Sequence, residues 1–112
     1  MGLSNHWKSD KGVKFDHELR LINNGIGEGE MVFFGGKCYH DMVFGITNIS
    51  LGRDEISNEA IIRISEVLDE TSYKAAKEHA DPQWEMQDFE YDDFRLMFRK
   101  YAEAGATLTG SW

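Results

Sequence analysis

Two adjacent glycines, Gly35 and Gly36, constrain the fold of this chain more than any other feature, because they separate a pair of runs rich in strand-forming residues. Before them stand Met31, Val32, Phe33 and Phe34. After them, Lys37 to Asn48 alternates: Cys38, His40, Met42, Phe44 and Ile46 share one side, and Tyr39, Asp41 and Val43 the other. A period of two is the signature of a strand, and a pair of residues tolerant of positive φ between two such runs signals a hairpin. Val13, Phe15, His17, Leu19 and Leu21 alternate in the same way with Lys14, Asp16, Glu18 and Arg20, which predicts a further strand. A short helix from Asp16, using Phe15, Leu19 and Ile22 and stopping at Gly25, competes for that stretch, since Glu, Leu and Arg favour helix. Asn23, Asn24, Gly25, Gly27 and Gly29 form a turn cluster. The economical reading is a three-stranded antiparallel meander over about residues 13–48, preceded by a loose polar arm at residues 1–12.

Beyond Leu51-Gly52 the period changes. Ser57 is placed to cap a helix, with Ile56 and Ile61 at the spacing of a hydrophobic staple. Ile61, Ile64 and Leu68 then form a stripe at helical period. This helix either breaks near Asp69-Glu70-Thr71-Ser72 or runs on through Ala75, Ala76 and His79 to stop before Asp81-Pro82, because the residue before proline resists the α conformation. Asp88 is the expected cap of a last helix, which carries Glu90, Asp92 and Asp93 in its first turn and an aromatic face of Tyr91, Phe94, Phe98 and Tyr101 with Met97. Arg99 and Lys100 sit in its last turn, and Gly105 ends it. Two or three helices, over about residues 58–80 and 89–104, would thus pack on one face of the meander. The expectation is an α+β fold, with residues 13–112 of the 112-residue chain forming a single domain.

One cysteine, Cys38, allows no intramolecular disulfide. Residues 1–12 hold no apolar stretch of the kind a secretory signal needs, and no run approaches the roughly 20 apolar residues of a membrane span. These features predict a cytoplasmic protein without a membrane partner. Twenty acids against twelve bases give a net charge of −8, which argues against direct binding of nucleic acid. The excess is uneven. Residues 1–52 hold six acids and five bases, whereas residues 53–112 hold fourteen acids and seven bases. Between Asp81 and Phe94 stand six acids and no base, interleaved with Trp84, Met86, Phe89 and Tyr91.

Each chemical motif has a plainer structural explanation beside it. Cys38, His40 and Met42 would point from one face of a strand, but same-face residues lie about 7 Å apart, too far for one ion to hold all three. The stripe also continues into Phe44 and Ile46, as a core face does. Cys38 lacks the positive surroundings that activate a thiolate. On a strand, His40 and Asp41 would face opposite ways and form no dyad. Asp54-Glu55, Asp69-Glu70 and Asp92-Asp93 read as surface charge, and Gly25, Gly27 and Gly29 precede a strand, not the helix that a phosphate cradle needs. No catalytic residue, metal site or cofactor is expected.

The acidic run has two readings, a solvated helix start with core aromatics behind it, and an interface. Aromatic residues and Met supply anchoring area, and an acidic field steers a basic partner. The residues expected to form it are Trp84, Glu85, Asp88, Glu90, Asp92 and Asp93. In size, charge and α+β make-up the chain is similar to small acidic bacteriocin-immunity proteins and phage-encoded inhibitors, although no stretch matches a family motif. The resemblance implies a non-catalytic protein that blocks the basic surface of a nuclease, a nucleic-acid-binding protein or a defence complex. The alternative is an assembly subunit whose uncharged tail, Ala106 to Trp112, docks into a neighbouring copy; a small metal- or cysteine-dependent enzyme ranks third.

Overall fold

The structure, a computed structural model, describes residues 2–21, 25–26 and 32–112. Its elements in chain order are β1 (Ser4–Lys8), β2 (Gly25–Ile26), β3 (Val32–Gly35), α1 (Lys37–Thr47), α2 (Asn58–Glu70), α3 (Tyr73–Lys77), α4 (Asp88–Glu103) and β4 (Thr107–Ser111). The strands form an antiparallel sheet in the order β2-β3-β1-β4, with helices packed against it. The expected α+β class is therefore the observed one, but the strands are not those of the expected meander.

Residues 37–47 are helical. Tyr39, Met42 and Val43 lie fully in the core, a spacing of three and one that fits a helix face as well as the alternation fits a strand. Gly36 turns the chain from β3 into α1, and Asn48, at φ 61°, ends the helix in the left-handed conformation that Asn tolerates. Gly36 is also required by packing, because a Cβ there would lie 1.7 Å from the Asn5 Oδ1 atom. Where the hairpin was expected, the chain makes a strand-to-helix turn.

The segment at 13–21 is neither strand nor helix. Leu19 and Leu21 are buried and Phe15 leans on Tyr101 at 6.1 Å, so the alternation marks an irregular stretch laid across α4. The turn expected over Asn23 to Gly29 lies outside the described residues, apart from Gly25 and Ile26, which form β2. The supposed loose arm at 1–12 contains β1, an interior strand of the sheet. Asn5 and Trp7 point inward and Ser4, His6 and Lys8 outward. Trp7 stacks on Tyr101 at 4.3 Å and meets Phe98 edge-on at 5.0 Å, tying the sheet to α4. The buried Asn5 amide donates to the carbonyls of Leu51 at 2.9 Å and Thr109 at 3.2 Å, closing β1 over the loop after α1 and over β4.

The helices follow the sequence more closely. The Ala60 N–H donates to the Ser57 hydroxyl at 3.3 Å, and Ile56 and Ile61 are both fully buried, as cap and staple require. Of the two courses open to this helix, the break is realised: Thr71 is extended, and Ser72 caps the short α3. The cap of α4 is Gln87, one residue before the expected Asp88. Gly105, at φ 72°, stands just past the helix and allows the reversal into β4. The uncharged tail becomes that strand, paired with β1 from Thr107 to Ser111. Among the described residues no helix is long and apolar enough to cross a membrane.

Candidate functional site

The acidic start of α4 is divided by its own helical geometry. Glu90 and Asp93 stand three apart, so they share the inward face, whereas Asp88 and Asp92 share the outward one. Glu90 is 5% exposed; it accepts a hydrogen bond from the Tyr39 hydroxyl on α1, and its other oxygen receives the Gln87 N–H at 3.4 Å. A carboxylate at this position completes a capping arrangement and favours the helix dipole.

Asp93 is 2% exposed and holds the irregular 13–21 segment in place. It accepts from the Arg20 backbone N–H at 2.8 Å, from Arg20 Nε at 3.0 Å and from Arg20 Nη2 at 3.3 Å, and it lies 3.0 Å from His17 Nε2. Burial pushes the carboxyl upward, but the hydrogen bonds from Arg20 and His17 outweigh it and bring the pKa down to about 2. The Arg20 guanidinium, raised chiefly by its bond to Asp93, also lies 5.0 Å from the centre of the Phe89 ring.

Of the six residues expected to contact a partner, Glu90 and Asp93 are thus internal fastenings and not surface charges. Asp92 remains exposed but is bonded to Arg95 at 2.6 Å. Glu85 and Asp88 are exposed, and Trp84 is half-buried against the core with its Nε1 unpartnered. Of the expected residues, Trp84, Glu85, Asp88 and Asp92 thus remain at the surface of the segment that carries Phe89, itself 41% exposed with Arg20 over its ring. Sequence reasoning missed Arg20 and His17 as partners of this region. They lie more than seventy positions away from Asp93, and no local signal connects them.

A second cluster gathers where α1, the turn at residues 50–52 and the end of β4 meet. His40 and Asp41 do touch, Nδ1 to Oδ1 at 3.3 Å, because on a helix consecutive side chains are about 100° apart and not opposed. On its other side His40 Nε2 lies 2.9 Å from the Ser50 hydroxyl, which accepts the Gly52 N–H at 3.0 Å. The order carboxylate, imidazole, hydroxyl is that of a nucleophilic triad. The Ser50 oxygen also receives a backbone amide and Asp41 is 62% exposed; together these bonds tie the turn at residues 50–52 to α1. Phe44 lies nearly parallel to His40 at 6.1 Å, and Trp112 meets its edge at 5.6 Å. Phe44 was expected in the core; the helical period turns it outward.

Cys38 and His40 do not converge with Met42, which is in the core. Among the described residues no three His, Cys, Asp or Glu side chains come close enough to hold a metal ion. Burial, followed by the charge of Glu90, pushes the Cys38 thiol up, away from a reactive thiolate. No family model, curated protein or solved structure matches the chain.

Proposed function

We propose that this is a non-catalytic binding protein, acting in the cytoplasm, that occupies a basic surface of another macromolecule in the manner of an immunity or phage anti-defence inhibitor. The observation that supports it is the outward face at the start of α4. Glu85, Asp88 and Asp92 remain at the surface of the segment that carries Phe89 and the half-buried Trp84 after the inward acids have been taken up by Arg20, His17 and Tyr39. Aromatic area ringed by carboxylates suits a cationic partner such as a nuclease or a nucleic-acid-binding protein, whose phosphate-binding residues the acids would cover. The net charge of −8 adds a long-range field of the same sign.

Glu85, Asp88 and Asp92 can be reversed to lysine without entering the core. Immobilised wild-type protein should retain a basic partner from extracts of its native host at low salt and release it at high salt. The E85K/D88K/D92K variant should fail to retain it. Equal retention by the variant would sink this assignment of the surface.

A further inference from the structure

Two arginines of this fold, Arg20 and Arg95, share one setting. The Arg20 guanidinium lies 5.0 Å from the centre of Phe89 and bonds the Asp93 carboxylate; the Arg95 guanidinium lies 4.9 Å from the centre of Tyr91 and bonds Asp92. In each case one aromatic ring and one carboxylate bracket a single guanidinium. The ring offers its negative face, and the carboxylate supplies opposite charge and hydrogen-bond acceptors. Lysines cover two further rings, Lys77 over Tyr73 and Lys100 over Phe15.

The corner formed by α1 and the end of β4 sets the same groups around the His40 imidazole, with no guanidinium among them. Phe44 is 46% exposed and Trp112 59%, and both flank His40. Asp41 stands beside the same imidazole with its carboxylate open to solvent. Among the described residues no arginine or lysine lies over either ring, and none pairs with Asp41. Arg53, exposed on the adjoining loop, covers neither ring, and it is followed by the exposed acids Asp54 and Glu55. The contrast with Phe89, another exposed aromatic, is direct: the chain's own Arg20 guanidinium lies over one face of that ring, which stays open to solvent elsewhere.

The geometry points to this corner as a docking site for an arginine side chain of a partner protein, seated against Phe44, with Asp41, three residues earlier on α1, accepting its N–H groups and Trp112 on the same imidazole beside it. Arginine suits the site better than lysine, since a planar guanidinium stacks on a ring while its edge donates to a carboxylate. The residues are not shared with the α4 surface, so the proposal does not depend on the reading of that surface.

The probe is a short peptide of alternating glycine and arginine, with a glycine–lysine peptide as its counterpart, titrated into the isotope-labelled protein and followed by backbone amide NMR. Shifts should concentrate on residues 40–44, 50–53 and 112, and the arginine peptide should bind about threefold more tightly than the lysine one. Phe44→Ala should weaken binding about threefold, and F44A/D41N about tenfold. Both positions are exposed, so the variants should keep the wild-type fold, which circular dichroism checks. The localised shifts should persist in E85K/D88K/D92K, which separates this site from the α4 surface. Shifts spread over the whole acidic surface, or equal affinity for F44A/D41N and wild type, would overturn the proposal. So would a self-association, seen by sedimentation, that Phe44→Ala dissolves, because the occupant would then be a second copy of this chain.

Discussion

At the start of α4, rings and carboxylates meet cations that the chain itself brings from its N-terminal segment; at the corner of α1 and β4, similar groups face solvent. The first region looks like an interface in sequence and proves to be half internal. Asp93, in the densest stretch of the acidic run, is the best-bonded carboxylate among the described residues, with Arg20 and His17 on its two oxygens. The second region carries only one acid within α1 and gives no signal by composition, yet it leaves two aromatic side chains uncovered. Charge density along a chain therefore differs from charge at a surface, and what separates them is the set of long-range partners that the fold delivers.

The largest test of the contrast removes the seat of the α1 corner. A Cβ on Gly110 would lie 2.3 Å from the Leu51 carbonyl oxygen and 2.8 Å from that of Arg53, and neither can swing away as a side-chain end could. Gly110→Ala should therefore destabilise the protein by about 3 kcal/mol and detach the 51–56 segment from β4, which the Gly110 N–H bond to Arg53 now joins. Urea denaturation measures the loss, and Trp112 emission should shift as its contact with the turn at Gly52 opens. An unchanged midpoint would mean that the corner is not held by this close approach.

Next in size is the closure of the α4 region. Asp93→Ala should cost about 2–3 kcal/mol, through the charge-assisted bonds lost from Arg20 and His17, whereas Asp92→Ala should cost about 0.5 kcal/mol, as an exposed ion pair does. Equal costs would erase the distinction between inward and outward acids. The pH dependence sharpens it. Because the Asp93 carboxyl is held at about 2 in the fold against an ordinary 3.8, its contribution is full above about pH 4 and is lost as the pH falls toward 2. That loss amounts to about 2 kcal/mol for this nearly fully buried group, and Asp93→Asn should lack it in acid denaturation curves.

The elements of this fold readable from sequence are those decided locally. Ser57 with its Ile56–Ile61 staple, the aromatic stripe of α4 and Gly105 as its stop each rest on neighbours within one or two turns, and each stands where it was expected. The strands were misplaced because their evidence is not local. β1 presents only Trp7 as a bulky apolar side chain, and it is a strand because β3 and β4 flank it and Trp7 finds Tyr101. The tail became β4 for the same reason. At the candidate site, Glu85, Asp88 and Asp92 could be read from composition, but the inward turn of Glu90 and Asp93 depended on Tyr39 and Arg20, which only the fold brings near.

Residues 37–47 allow the sharpest version of the comparison, because two periods fit the same letters and disagree about one side chain. On a strand, Met42 and Phe44 would share a buried face, and truncating either to alanine would cost several kcal/mol. On α1 they diverge: Met42 is fully buried among the core residues, and Phe44 lies outward along His40. Met42→Ala should therefore cost about 2 kcal/mol and Phe44→Ala about 0.5 kcal/mol, as little as Asp92→Ala. Matched thermal melts of the two variants decide it. Comparable losses would return Phe44 to the core, remove the exposed ring from the α1 corner and leave the acids at the start of α4 as the remaining candidate surface.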